Sequence, residues 1–329
     1  MNNFVWIGIL LILIGEPISS IGQIYQKKYH NFHKENRDGY KQPWHKSKKF
    51  WKYYGVEYVG MLMTSISLFF TPIILFIPLS NSKLIFNIIF SHKILSEDIY
   101  TSDIFSLIII FIGSCISIYF SSYEKEIYDP ERVSNNFLSG RFITINVVYV
   151  LLFLFFYLNY RIFDIGVREK LILFKGNIIS KNVNLFIKIR FLSLCIINGI
   201  LSSLNFLMNN LLIISTTYSI NCKMNFVCVK DTLIYSFVSI ILFIIYLVVF
   251  QQLIKGYNSI LLFPTTHICN IIFSASYSII FYEQLIKENS FYFILGIVVS
   301  IIGVLIKISN HLNIKNMKKV DSATELAEN

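Results

Sequence analysis

Of the 329 residues, 55% are apolar and only 15% are charged, and the mean hydropathy is +0.61. Soluble domains carry about a quarter of their residues charged, so this balance excludes an ordinary soluble enzyme. The net charge of +10 gathers on no basic face with interleaved aromatics, which excludes nucleic acid as a partner. Every Lys, Arg, Asp and Glu except Glu16, Glu57 and Lys83 falls at or beyond the end of a long apolar run. The composition is that of an all-α polytopic membrane protein whose first partner is the lipid bilayer.

A helix crosses the hydrocarbon core in about 20 residues. Nine stretches qualify, at 4–27, 52–71, 73–93, 102–122, 142–160, 191–214, 232–252, 258–281 and 290–309. The first has no basic n-region and runs into Glu16-Pro17, which predicts a retained helix and not a signal peptide. Residues 28–50 predict a polar, basic loop, and 161–190 a longer one. In the longer loop Val167, Leu171, Ile172 and Phe174 alternate with Arg168, Lys170 and Lys175. Such a segment either lies along an anionic leaflet or is an unstructured basic loop.

Cys115, Cys195 and Cys269 fall within spans, where a thiol behaves as a small apolar group. Cys222 and Cys228 share one short loop, where they are either bonded or free. No His accompanies them at metal-ligand spacing. Sorting the 29 basic residues to alternate sides puts 22 on one face and six on the other, with Lys83 inside the membrane. The positive-inside rule makes the richer face cytosolic, the N-terminus external or luminal and the C-terminus cytosolic.

Compared with itself, the chain shows two ordered matches. Ile18-Ser19-Ser20-Ile21-Gly22 in span 1 corresponds to Leu201-Ser202-Ser203-Leu204-Asn205 in span 6. Pro78 precedes Glu97 by 19 residues, and Pro264 precedes Glu283 by 19. Spans 1–4 thus pair with spans 6–9 at an odd offset, so equivalent helices cross in opposite directions. This predicts an inverted repeat: a first unit at 1–122, a connector with span 5 at 123–190, a second unit at 191–309 and a cytosolic tail at 310–329. Inverted repeats are a transporter architecture with two exchangeable conformations.

Further residues carry a family likeness. Span 1 reads Gly15, Ser19-Ser20, Gly22 and Gln26-Lys27-Lys28; Trp51 opens span 2; Pro72 and Pro78-Leu79 lead to Glu97. The second half has Tyr257-Asn258-Ser259-Ile260, then Pro264 and Glu283. In these residues the chain resembles the NIPA magnesium transporters, a branch of the drug/metabolite transporter superfamily, across spans 1–4 and 7–9. It departs from them at Met61 and Thr64, where the family carries a Glu and an Asn, and at Thr265-Thr266, where it carries a Tyr pair. The resemblance implies an alternating-access carrier with Mg2+ as cargo.

Ionisable groups inside a membrane helix cost roughly 2.5 to 3.5 kcal/mol on insertion scales, which makes them functional candidates. Glu16 leads. Beside Pro17, which frees carbonyls one turn back, its carboxylate offers hard oxygen ligands of the kind Mg2+ takes. Glu57 is either a second ligand, a gate or a side chain snorkelling to the interface. Lys83 is either the counter-ion of Glu16 or Glu57 or the attractor of an anionic solute. Asn81 and His267, each three residues past its Pro, predict contact with a shared cavity. Ser19, Ser20, Ser202 and Ser203 serve helix packing or line the path. Gly113 with Ser117, and Gly296 with Ser300 and Gly303, have the spacing of packing faces.

No Walker-type motif is present, no cofactor is implied, and no His or Asp cluster of the sort a membrane enzyme needs appears at either membrane face. The expected function is transport of a divalent cation, Mg2+ by resemblance. The alternatives are an organic-solute exchanger of the same superfamily or a non-transporting membrane scaffold.

Overall fold

The computed structural model describes residues 4–35, 46–120, 130–173, 181–221, 226–257, 259–281 and 291–306. Among them the regular structure is helix, with no strand. The helices are α1 (Val5–Glu35), α2 (Lys48–Ser67), α3 (Ile73–Leu79), α4 (Ser82–Leu95), α5 (Thr101–Tyr119), α6 (Pro130–Leu138), α7 (Gly140–Leu173), α8 (Lys181–Asn221), α9 (Phe226–Gly256) and α10 (Ser259–Ile280). An eleventh, α11, spans Phe291–Ile306.

Among the described residues six segments are long and apolar enough to cross a membrane: Val5–Phe32, Thr101–Tyr119, Gly140–Ile162, Ile189–Thr217, Thr232–Gly256 and Ser259–Ile280. They make the chain a multi-pass integral membrane protein. The other three expected spans are helical but shorter or more polar. α2 opens with Lys48, Lys49 and Lys52, the third expected span is divided into α3 and α4 at Ser80-Asn81, and α11 is short. Helix also reaches into the expected basic loop at 161–190, through Leu173 and again from Lys181, so these stretches are not unstructured. Pro17 sits inside the continuous α1. Cys222, Glu283 and the tail at 310–329 lie outside the described residues, and with Cys222 the disulfide question; Cys228 falls in the first turn of α9 and not in a loop, while Cys115, Cys195 and Cys269 are free thiols.

α1 and α8 are each the hub of a group of helices. α1 packs on α2 and α4; α8 packs on α7, α9 and α10; and α4 meets α10. Without a hydrophobic drive between helices in lipid, close approach needs small residues. A Cβ on Gly22 would fall 2.6 Å from Glu57 Cα, and one on Gly15 would fall 2.9 Å from Gly60 O, so α1 and α2 cross with backbones nearly touching. By contrast α7 and α9 turn large apolar side chains outward, including Val150, Leu154 and Leu158 on one and Phe237, Ile241 and Ile244 on the other. Those faces are suited to lipid tails.

α5 and α11 make a reciprocal contact. A Cβ on Gly113 would fall 2.6 Å from Gly296 O, and one on Gly296 would fall 2.6 Å from Gly113 O. Ser117 Oγ donates to Phe293 O at 3.1 Å, while Ser300 Oγ donates to Ile110 O at 3.3 Å. The packing faces expected at Gly113 and Gly296 therefore meet each other.

α4 ends in a left-handed turn at Ser96, φ 54°, the only non-glycine positive φ among the described residues. Ser96 N–H bonds His92 O at 3.1 Å, the 5→1 bond of an αL cap, and Glu97 N–H reaches back to Ser91 O at 3.4 Å. The turn brings the Glu97 carboxylate to the start of α10. There it accepts from Ser259 Oγ, from Ser259 N at 3.4 Å and from Ile260 N at 3.2 Å. One residue thus caps a helix distant in sequence, and Glu97→Ala is expected to cost about 0.5 to 2 kcal/mol in thermal unfolding.

Partial burial pushes the Glu97 carboxyl above its ordinary value of 4.5, despite these hydrogen bonds. A folded-state value above the unfolded one means stability present in acid is lost as pH rises through the raised value. The thermal stability of the wild type should therefore fall as pH rises above 4.5, over a range in which Glu97→Gln stays flat.

Candidate functional site

Between α1, α2, α4, α8, α9 and α10 lies a cavity of about 160 Å³. Its two charged side chains are Glu16 and Lys83. Glu16 projects from the middle of α1 and Lys83 from the first turn of α4, and the Lys83 Nζ lies 3.8 Å from Glu16 Oε2. The ammonium also donates to Ser19 Oγ at 3.0 Å. Of the two partners left open for Lys83 by the sequence, the structure selects Glu16. Both groups are almost excluded from solvent, at 8% exposure for the Glu16 side chain and 17% for Lys83. An apolar bundle tolerates them because each offsets the other's charge.

The rest of the lining is rich in carboxamides. Asn198, Asn205 and Asn209 come from α8, Asn87 from α4, Asn270 from α10 and Gln23 from α1. With Ser202, the α8 residues fall at positions i, i+4, i+7 and i+11. This is one helical stripe, and that periodicity in an otherwise apolar helix was the available sequence signal. Some of these amides are already engaged. Asn205 and Asn209 Oδ1 accept from Ser239 Oγ at 3.0 and 2.6 Å, and Asn87 Oδ1 accepts from Ser20 Oγ. Others have capacity to spare: Asn198 Oδ1 and His267 Nε2 are buried with no hydrogen-bond partner. Aromatic walls from Tyr246, Phe250 and Phe263 close the space.

The expected site residues divide accordingly. Glu16, Ser19, Lys83, Ser202 and His267 line the cavity together. Ser20 instead bridges α1 to Asn87, and Ser203 Oγ bonds Ile200 O within its own helix. Asn81 turns from the cavity toward α5, donating to Ser114 Oγ at 2.6 Å. Met61 and Thr64, the departures from the family pattern, do line it.

Glu57 is neither a cavity ligand nor a snorkelling side chain. It is 2% exposed, and its two oxygens accept from Gln23 Nε2 at 2.8 Å and Gln26 Nε2 at 2.5 Å. Gln26 Oε1 in turn accepts from Gln251 Nε2 at 2.6 Å, and His30 Nε2 lies 3.1 Å from Gln251 Oε1. Nearby, Lys27 Nζ donates to Ile254 O and Tyr257 O at 2.7 and 2.5 Å, closing the last carbonyls of α9. A buried polar strap thus ties α1 and α2 to α9 at the lysine-bearing end of α1.

Among the described residues no group of three or more His, Cys, Asp or Glu gathers into a metal-binding cluster. The chain matches no protein-family model, no curated protein and no solved structure. The functional reading therefore rests on the cavity and the helices that build it.

Proposed function

We propose that the protein is a membrane carrier that moves a small polar solute by alternating access of two inverted repeats, 1–122 and 191–309, joined through 123–190. The observation that carries this reading is the cavity itself. It is polar, it holds an ion pair inside an apolar helix bundle, and it draws its lining from both repeats. Substrate sites of inverted-repeat transporters lie at that interface.

The symmetry of the α5–α11 contact supports the repeat. Gly113 and Gly296, Ser117 and Ser300, and Ile110 and Phe293 are each separated by 183 residues, the same offset as Ser19 and Ser202. Each of the two serines bonds the counterpart of the other's acceptor. Residue i meeting j while j meets i is the signature of a two-fold axis. A second pairing points the same way: Gln26 bonds Glu57 across α1 and α2, and its counterpart Asn209 bonds Ser239 across α8 and α9.

In this scheme the nine expected spans place the Lys27 end of α1 in the cytosol. The Glu57–Gln26–Gln251–His30 strap then seals the cavity on that side. Rocking of one repeat against the other breaks the strap and opens the cavity to the cytosol.

The lining favours a polar organic solute, since Glu16 already faces the Lys83 ammonium. Mg2+ is the second reading, favoured by the Glu16 carboxylate and the open carboxamide oxygen of Asn198, both hard ligands suited to a partly hydrated ion. Vesicles containing the purified protein decide between them. Uptake of a labelled polar metabolite that is lost in Glu16→Gln, with no signal from an enclosed Mg2+ dye, is the expected result. A Mg2+ signal lost in the same variant selects the cation, and absence of any uptake removes the carrier reading.

A further inference from the structure

We propose that the solute is a small zwitterion of the α-amino-acid type, an assignment that rests on the carrier reading above. The cavity carries one fixed negative and one fixed positive group side by side, 3.8 Å apart, with no other charged side chain in its lining among the described residues. A solute with a single net charge would meet one attraction and one repulsion of similar size there. A zwitterion whose ammonium and carboxylate are separated by one carbon lies antiparallel to the pair, ammonium on Glu16 and carboxylate on Lys83, and satisfies both.

The remaining donor capacity fits. Lys83 has three N–H groups and gives one to Ser19, leaving hydrogens for a second carboxylate. Glu16 faces the Lys83 ammonium through Oε2 at 3.8 Å, long for a hydrogen bond, so its oxygens can accept a substrate ammonium. The unpartnered Asn198 Oδ1, in a residue 3% exposed, offers a further acceptor, and His267 Nε2 adds a ring nitrogen. A cavity of about 160 Å³ compares with the roughly 150 Å³ engineered cavity that accepts benzene, so the solute is small. The carboxamide walls suit a polar side chain, and the aromatic rings suit its carbon atoms.

Purified full-length protein in nanodiscs tests this with the common L-α-amino acids, each compared with its N-acetyl and methyl-ester forms, and with MgCl2 and glucose in parallel. At least one amino acid is expected to bind. Blocking either its amine or its carboxyl should weaken binding at least ten-fold. Asn198→Ala, which leaves the ion pair in place, should weaken the same ligand several-fold, so the test does not depend on Glu16 or Lys83 variants folding. Equal binding of blocked and free forms, or no binding by any amino acid, overturns the zwitterion. If MgCl2 or glucose then binds, the carrier reading survives that failure. The carrier reading falls on its own if the Ser202→Cys variant reacts with a thiol reagent from one membrane face only.

Discussion

Lys83→Met is expected to destabilise the protein by about 3 kcal/mol or more and to abolish uptake, and Glu16→Gln to do the same. Removing one member of a buried ion pair leaves the other uncompensated, a loss of about 3 to 5 kcal/mol. The lower end applies because both groups touch the cavity and keep some access to water, at 17% and 8% exposure. The double variant Glu16→Gln/Lys83→Met separates structure from function. It has no orphaned charge, so it should be no less stable than either single variant, which puts the coupling between the two substitutions at about 3 kcal/mol. Transport should stay absent, because both substrate contacts are gone. Thermal unfolding in detergent beside uptake in vesicles measures the two properties. Strictly additive destabilisation would show that the pair contributes no coupling, and uptake by the double variant would remove it from the substrate path.

The second large effect is expected at the α1–α2 crossing. Gly60→Val places a Cβ 2.6 Å from Gly15 O and 2.8 Å from Ser19 Cα, and closer still to Ser19 N. All three obstacles are backbone, so no side chain can swing aside and the helices must part. Overpacking costs about 1 to 3 kcal/mol, and the displaced α1 takes Glu16, Ser19 and Gln23 with it. Both the melting temperature and uptake should fall. Gly55, on the same helix, is the natural comparison: nothing lies within 4 Å of its Cβ position. Gly55→Ala should raise stability by up to about 1 kcal/mol through helix propensity alone and leave uptake unchanged. Loss at position 55 equal to that at position 60 would mean that the close crossing is not what the glycine serves.

The lipid-crossing helices were legible because hydropathy and charge placement act locally, residue by residue. The intramembrane charges were equally visible, and Glu16 and Lys83 do line one cavity. What the sequence could not convey is direction. Asn81 and His267 stand at matched distances from their prolines, yet His267 borders the cavity while Asn81 is drawn to Ser114 on α5. Glu57 looked like a ligand or a surface carboxylate. It is instead enclosed, because Gly22 lets α2 approach closely enough for Gln23 and Gln26 to take both its oxygens. Such pairings depend on a crossing between helices, which one-dimensional spacing does not record. The Asn198–Ser202–Asn205–Asn209 stripe was different in kind. Its helical period is present in the sequence, but uncharged amides stand out less from an apolar helix than Glu16 or Lys83 do.

Access to position 202 tests the account's central claim most directly. Ser202 lines the cavity from α8 and is the counterpart of Ser19 in the proposed repeat. Ser202→Cys is made in a background where Cys115, Cys222 and Cys228 are Ser. It is then treated with a membrane-impermeant thiol reagent from the outer face, and separately from the inner face, of oriented vesicles. Alternating access predicts labelling from both faces, with reaction from one face protecting against the other. Labelling confined to a single face, whatever the conditions, contradicts a carrier and leaves a cavity that opens to one side only.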